Sequence, residues 1–160
     1  MKIKTGMLKD DPAAIPTLAA WFAKEWGYLS PDYTFEGFCK SLPERAQTDR
    51  LPICLVGYVN GEAVATATIK FREIEYAPSA DFWIGSVFVR EDMRQKQLGT
   101  QIVAAAEDFA QSRGYCPLYL YTGNKEAFYE RLGWQTVGER FVSGSVVKVM
   151  SKLFPSPASV

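Results

Sequence analysis

Acid–base chemistry in this chain must rest on carboxylates, tyrosines, lysines, cysteines or water, because none of its 160 residues is histidine. The absence of histidine excludes Ser-His-Asp and Cys-His nucleophile systems and HExxH zinc sites. The three cysteines, Cys39, Cys54 and Cys116, show no CxxC spacing, so neither a zinc knuckle nor a disulfide framework is indicated. We therefore expect buried free thiols and no metal site.

A basic, polar loop at residues 90–97 stands between an apolar strand pattern and a helical one. The free N–H groups of the helix start, its dipole and the cations Arg94 and Lys96 favour a bound mono- or diphosphate. Gly99 would allow the main chain to approach such a ligand, and Thr100 would add a hydroxyl. An amphipathic helix with a solvated basic first turn explains the same residues. Neither GxxxxGK[ST] nor GxGxxG occurs, which argues against nucleoside triphosphates and dinucleotides.

Periodicity predicts the elements that position this loop. The Asn60-Gly61 pair predicts a two-residue hairpin turn, an aspartate of Asp10-Asp11 is the expected cap of the first helix, and Gly114 should end the long helix. We expect strands at 2–7, 53–59, 62–71, 82–89, 118–122, 134–141 and 146–153, and helices at 12–26, 35–47, 98–113 and 124–132. These elements predict a mixed α/β domain.

Composition bounds the domain count and the partners. With 160 residues, 48% of them hydrophobic, the chain has material for one core, so we expect one domain over residues 1–154 and a loose tail over 155–160. Eighteen basic and 18 acidic residues leave no net charge, which predicts neither a nucleic-acid nor a membrane partner. No apolar run approaches the ~20 residues that span a bilayer, and the start lacks the apolar core of a secretory signal, so a cytoplasmic location is expected.

Two motifs together resemble the GCN5-related N-acetyltransferase (GNAT) superfamily. The run Val87-Phe88-Val89, followed by the loop 94–100 (RQKQLGT), is similar to motif A of that family, [R/Q]xxGx[G/A]. Downstream, NKEAFYERLGW at 124–134 is similar to motif B, in which a helix ends in FYxxxG[FW]. Gln97 stands where the family usually has its first glycine, and we expect it to be helical with its side chain outward.

The resemblance implies the fold and the cosubstrate. It implies a mixed, mostly antiparallel central sheet with helices on both faces, and acetyl-CoA whose diphosphate is held by the loop amides and whose pantetheine arm pairs with the preceding strand. Asn124 would bond the pantetheine amide, although it also suits a helix N-cap, and Ala127 would leave room on the same helix face. The implied binding residues are Val87, Phe88, Val89, Arg94, Gln95, Lys96, Gln97, Leu98, Gly99, Thr100, Asn124, Ala127 and Tyr129.

The activity implied is transfer of an acetyl group to a primary amine by direct attack in a ternary complex. Tyr129 matches the family's general acid, since a phenol with a pKa near ~10 can protonate a departing thiolate whose thiol pKa is near ~8.5; the pair Phe128-Tyr129 is otherwise aromatic core. The N–H of Val87 or Phe88 would polarise the carbonyl. A non-catalytic acetyl-CoA-binding or interaction module with this fold is the alternative.

The general base is less well defined. Some family members carry a glutamate on the motif A strand, but the matching residue here is Trp83. The candidates nearby are Asp81, Glu73, Glu75 and Glu25, each of which also reads as a solvated surface carboxylate.

The acceptor is expected to be an amine of a small molecule or a peptide. Trp21, Trp26, Tyr28 and Tyr33 would wall a groove for it, with core packing as the alternative. Homodimers occur in such folds, but the sequence shows no separate dimer signal.

Overall fold

Seven strands and four helices form the part of the chain that the structure describes, residues 1–154 of a computed structural model. The tail predicted to be loose, 155–160, lies outside the described residues. The strands are β1 Lys4–Met7, β2 Ile53–Val59, β3 Glu62–Phe71, β4 Phe82–Val89, β5 Leu118–Thr122, β6 Gln135–Val142 and β7 Ser145–Lys152. The helices are α1 Ile15–Trp26, α2 Phe35–Ser41, α3 Leu98–Ser112 and α4 Glu126–Arg131.

All seven strands belong to one sheet, in the order β1-β2-β3-β4-β5-β7-β6. Every neighbouring pair is antiparallel except β4 and β5, which are parallel. The predicted mixed, mostly antiparallel sheet is therefore confirmed.

The sheet is covered on both faces, as β2 shows residue by residue. Ile53 and Leu55 belong to a core cluster with Ile102 of α3, whereas Cys54 and Val56 belong to a second cluster with the apolar side chains of α1 and α2. Side chains alternate between the faces of a strand, so a strand that is apolar throughout needs cover on each side. Helices on both faces supply that cover, as expected.

Turn chemistry confirms two local predictions. Asn60 and Gly61 have φ of 52° and 80°, the positive values that a two-residue hairpin turn between β2 and β3 requires. Gly114, with φ of 73°, follows the last turn of α3 and lets the chain leave the helix.

Three local predictions are wrong. Asp11 precedes the 3₁₀ turn Pro12–Ala14 rather than α1, and its side chain caps no N–H group, because its carboxylate accepts a hydrogen bond from the Tyr58 hydroxyl (2.7 Å). The second helix ends at Ser41, since a 3₁₀ turn containing Pro43, Leu42–Arg45, replaces its second half. The cysteines are free, but only Cys54 is buried, while Cys39 and Cys116 are partly exposed.

A buried carboxylate ties three elements together. Glu107 of α3 accepts hydrogen bonds from Trp134 Nε1 (3.1 Å) and from Lys152 Nζ of β7 (2.7 Å). Lys152 Nζ also donates to the carbonyl of Leu132, just after α4 (2.6 Å). These bonds fix the end of α4, which at six residues is too short to be stable alone.

Candidate active site

A cleft opens in the sheet where β4 and β5 diverge. The two strands pair at only two positions, Phe82 with Leu118 and Trp83 with Tyr119. Beyond Trp83, β4 keeps β3 on one side, and on its other side no strand of residues 1–154 pairs with it. Main-chain groups along this open edge are therefore free to bind an extended ligand.

A β-bulge turns β4 within this cleft. Thr68 pairs with Gly85 and Thr66 with Phe88, so Ser86 and Val87 together face the single residue between those threonines. Ser86 has a left-handed φ of 50°, and its carbonyl accepts a hydrogen bond from Thr66 Oγ1 (3.0 Å). A bulge leaves its extra residue unpaired and bends the strand. The Val87 and Phe88 N–H groups, named as oxyanion donors, thus lie at or next to the bulge.

The loop between β4 and α3 presents a row of main-chain N–H groups. Within residues 1–154, none of the N–H groups of residues 95–100 donates a hydrogen bond to another protein group. Gln95 and Gln97 both take the left-handed conformation, with φ of 64° and 63°. Successive amides around left-handed residues at a helix start form a concave anion-binding surface. The geometry predicted for a diphosphate cradle is therefore present.

The conformation expected for Gln97 is wrong. Its side chain is exposed, as expected, but the residue is left-handed (φ 63°, ψ 20°), because the chain must turn sharply into Leu98 to start α3. A left-handed conformation costs a residue with a Cβ about 1 kcal/mol, which explains why a glycine suits this position.

Replacing Gln97 with glycine should stabilise the protein slightly. Glycine removes the left-handed penalty but adds freedom to the unfolded chain, so we expect a net gain of about 0.5 kcal/mol and a melting temperature about 1–2 °C higher. Lys96→Gly is the matched control, because Lys96 has no positive φ and gains nothing in the folded state. Thermal denaturation of both variants should give shifts of opposite sign; equal losses would contradict the strain argument.

The two loop cations have different surroundings. The Arg94 Nε donates to the Val89 carbonyl (2.9 Å), and its guanidinium lies 5.2 Å from the centre of the Phe88 ring. Lys96 is exposed and has no ion-pair partner within residues 1–154. Lys96 is therefore free to meet an anion, whereas Arg94 braces the loop against the end of β4.

Gly99 and Phe128 bring the loop against α4. A Cβ added to Gly99 would lie 3.5 Å from the Phe128 ring and 3.7 Å from the Val89 side chain, which are ordinary contacts. The missing side chain of Gly99 therefore leaves room toward Phe128. Leu98 is buried in the core, and Thr100 is partly exposed in the first turn.

Tyr129 places a phenol at the edge of the core. Its side chain is 8% exposed and packs edge-on against Phe128 and Trp134, at ring distances of 5.0 and 6.2 Å. The hydroxyl makes no hydrogen bond within residues 1–154, and it is not fully enclosed, because no fully enclosed side-chain oxygen there lacks a partner. Burial, and then the negative charge of Glu73, raise the pKa of Tyr129 to about 12, which keeps the phenol protonated.

The segment before α4 differs from its prediction. Asn124 lies in a bend, because α4 begins only at Glu126, and the Thr122 hydroxyl accepts the N–H of Lys125 (2.9 Å) instead. Asn124 therefore caps no helix and does not share a helical face with Ala127. Both residues are exposed and available to a ligand.

The four candidate carboxylates occupy different surroundings. Glu73 folds over β4 so closely that a Cβ on Gly85 would lie 2.8 Å from its Oε1, and its Oε2 pairs with Lys70 Nζ at 2.7 Å. Asp81 pairs with Arg72 (2.8 Å) before β4 begins, at the end of the strand away from the loop. Glu25 faces Arg94 at 3.8 Å, and Glu75 is exposed. Glu73 alone of the four combines low exposure, a side chain 12% accessible, with a charge that acts on Tyr129.

Sequence reasoning missed two residues near Glu73. Arg45 donates from Nη1 to Thr68 Oγ1 (3.1 Å) and to the bulge residue Ser86 Oγ (3.0 Å). Tyr121 of β5 has its pKa raised to about 12 by burial, the Glu73 charge and Tyr33. For Tyr121 the sequence offers one signal, the alternation of side chains along β5, which places Tyr121 on the same face as Tyr119. For Arg45 it offers none.

The four aromatic residues predicted to wall one groove have two different surroundings. Trp21 stacks on Phe88 with ring centres 5.4 Å apart, and Trp26 lies 6.1 Å from the same ring, so both pack against β4. Tyr28 is 83% exposed and Tyr33 is 42% exposed, beyond the end of α1. The tryptophans are thus largely part of the packing, and the tyrosines remain available to a ligand.

Comparison with known proteins is consistent with this geometry. A sequence model of the acetyltransferase (GNAT) family matches residues 15–134. The chain is similar to a solved aminoglycoside 6′-N-acetyltransferase complexed with coenzyme A (19% identity, TM-score 0.76, covering 98% of this chain and 99% of that one). It is also similar to an aminoglycoside 6′-acetyltransferase type Ii (22%, TM-score 0.73, 98% and 100%) and to a GNAT-family acetyltransferase from Streptococcus pneumoniae (17%, TM-score 0.70, 96% and 100%). No curated protein sequence matches the chain.

None of the helices in residues 1–154 is long and apolar enough to cross a membrane. No group of three or more His, Cys, Asp or Glu side chains in that range is arranged to hold a metal ion.

Proposed function

The chain belongs to the acetyltransferase (GNAT) family, an acetyl-CoA-dependent family, and from that premise we propose that it transfers the acetyl group to a primary amine by direct attack in a ternary complex. The observation that carries the proposal is the free edge of the cleft. A row of unpartnered N–H groups at residues 95–100 follows the open side of β4, and α4, which carries Tyr129, approaches the first turn of α3 where Phe128 lies against Gly99.

The residues of this edge suit the parts of acetyl-CoA. The amides of 95–100 and the free Lys96 would bind the diphosphate, because the helix start offers donors and a positive dipole. The open edge of β4, at Val87 to Val89, would pair with the amides of the pantetheine arm as a missing strand would. Asn124 and Ala127, both exposed, would line the opposite side.

The proton steps fall to two side chains. Glu73 would accept the proton of the attacking amine, directly or through water, as the N–C bond forms. Tyr129 would donate a hydrogen bond, and then its proton, to the departing sulfur as the C–S bond breaks. An N–H at the bulge, from Val87 or Phe88, would stabilise the charge on the carbonyl oxygen.

Coenzyme A should bind and stabilise the native protein. At a concentration 100 times its Kd, the ligand adds about 2.7 kcal/mol, so the melting temperature should rise by roughly 5–10 °C. Acetyl-pantetheine, which lacks the diphosphate, should give little shift at the same concentration if the loop amides supply the binding energy. Equal shifts with the two compounds would contradict the cradle.

A panel of amines then separates the enzyme from a binding module. Acceptor-dependent release of free thiol from acetyl-CoA supports the proposed transfer. Binding of coenzyme A without such release from any amine would favour the non-catalytic alternative, which the left-handed Gln97 and the apolar Trp83 at the family's glutamate position leave open.

A further inference from the structure

A guanidinium beside the β4 bulge has no carboxylate partner. Arg45 stands at the end of the 3₁₀ turn Leu42–Arg45, and its side chain passes under α1, 5.9 Å from the Phe22 ring. Its hydrogen bonds go to the neutral hydroxyls of Thr68 and Ser86, and no Asp or Glu oxygen within residues 1–154 lies within 4.0 Å of it. A largely buried cation without a counter-ion is costly, because a carboxylate normally compensates the lost hydration.

Two nitrogens of this guanidinium remain unused. Only Nη1 takes part in the two bonds to Thr68 and Ser86. Nε and Nη2 make no hydrogen bond within residues 1–154, and neither is fully enclosed, because no fully enclosed side-chain nitrogen there lacks a partner. Two adjacent N–H donors in one plane are the geometry that binds a carboxylate through both of its oxygens.

The same stretch of β4 holds the proposed base. Glu73 packs over Gly85, while Arg45 bonds to the next residue, Ser86, so the two groups flank neighbouring positions about 3.8 Å apart along the strand. The Glu73 charge is already paired with Lys70 at 2.7 Å. The three charged groups on this patch, Arg45, Lys70 and Glu73, therefore sum to one positive charge.

We propose that the acceptor is a small amino acid-like zwitterion, whose carboxylate is bound by Arg45 while its amino group faces Glu73. The inference rests on the proposed function and names its substrate class. A polycationic amine would meet an uncompensated positive charge here, so the patch selects against it. An acceptor carboxylate instead supplies the counter-ion that the fold leaves out.

Matched acceptor pairs test the inference without any variant. The kcat/KM for thiol release from acetyl-CoA should be at least about 10-fold higher for amino acids than for their own carboxamides in the wild-type protein, since a charged hydrogen-bonded pair is lost. The carboxamide has the more acidic ammonium, so a preference for the acid does not arise from amine basicity. Equal or better use of carboxamides or polyamines would overturn the inference.

Variants then locate the effect at one side chain. Arg45→Gln should lower kcat/KM for the acid about 100-fold, leave the carboxamide within about 3-fold, and bring the ratio near one, with partial recovery in Arg45→Lys. Arg50→Gln is the control, because Arg50 is an exposed residue paired only with its neighbour Asp49. An unchanged ratio in Arg45→Gln would show that Arg45 only anchors its turn.

The outcomes separate this inference from the function on which it rests. Thiol release with plain amines but not with amino acids would overturn the proposal of a zwitterionic acceptor and leave the proposed acetyl transfer intact. Binding of coenzyme A with no release from any acceptor overturns the transfer itself. If Arg45→Gln fails to fold, Ser86→Ala is the second variant, because it removes one hydrogen bond that orients the guanidinium. It should raise the KM for the acid several-fold and leave the KM for the carboxamide unchanged. Equal changes in the two KM values would count against the inference.

Discussion

Glu73→Gln should lower kcat/KM for an alkylamine acceptor by about 10³-fold at pH 7. With the carboxylate present, Glu73 accepts the proton of the bound amine, directly or through water, as the N–C bond forms, so the rate should depend less steeply on pH than the fraction of neutral amine does. Without a base, only acceptor that is already neutral reacts, and an amine with a pKa near ~10 is about 0.1% neutral at pH 7. The deficit should therefore shrink about tenfold for each pH unit up to pH 10.

Two further variants isolate the position of that carboxylate. Glu75→Gln removes an exposed carboxylate of the same loop and should change kcat/KM by less than about 2-fold. Gly85→Ala should reproduce the steep pH profile, because its Cβ would displace the Glu73 carboxylate, which would lie 2.8 Å away at Oε1. Because Glu73→Gln also removes the ion pair with Lys70, a melting curve must show that the variant is folded. A profile parallel to wild type would exclude Glu73 as the base.

Tyr129→Phe should lower kcat by about 10²-fold and leave the Kd of coenzyme A within about 2-fold. The removed hydroxyl makes no hydrogen bond within residues 1–154, so the variant should fold with nearly unchanged stability. Loss of one preorganised donor to a developing charge has an effect of this size. Tyr121→Phe is the matched control, since it removes a second phenol near Glu73 and should change kcat by less than about 3-fold.

The raised pKa fixes how Tyr129 acts. Burial and the Glu73 charge disfavour the phenolate, so the pKa moves up to about 12 and the hydroxyl stays protonated below about pH 11. No alkaline loss of rate should therefore come from Tyr129 in the range up to pH 10. Because the phenol is then a weaker acid than the departing thiol, its main contribution is the hydrogen bond to sulfur, with proton transfer only as the bond breaks. An alkaline limb near pH 9 that disappears in Tyr129→Phe would contradict this view.

Local signals in the sequence were sufficient for most of the fold. The turn at Asn60-Gly61 and the end of α3 at Gly114 need positive φ, which asparagine and glycine accept, and the continuous apolar run of β2 requires cover on both faces. These features depend on neighbouring residues alone. The order of the strands in the sheet was not predicted, because no local pattern encodes it.

The sequence alone could not distinguish the candidate carboxylates; the structure was required. Glu73 and Glu75 differ by two positions in one loop, and only the packing of that loop over Gly85 buries one and exposes the other. Arg45 was missed for a related reason, since Pro43 shortens the second helix and the resulting 3₁₀ turn sends the side chain to Ser86. The left-handed Gln97 was mispredicted because its conformation is imposed by the entry into α3 rather than favoured by glutamine.

The two residue pairs that join β4 to β5 are the strand pairing between the two halves of the sheet, β1-β2-β3-β4 and β5-β7-β6. Arg45 and Glu73 belong to the half that ends at β4, whereas Tyr129 follows β5 and is anchored through Trp134 and Glu107. The separation of the two proton-handling groups therefore depends on the angle between these halves, which α3 spans, because α3 packs on β2, β3 and β4 and holds Trp134 through Glu107. Substitutions that change this angle from a distance would detune the reaction while leaving every local contact intact.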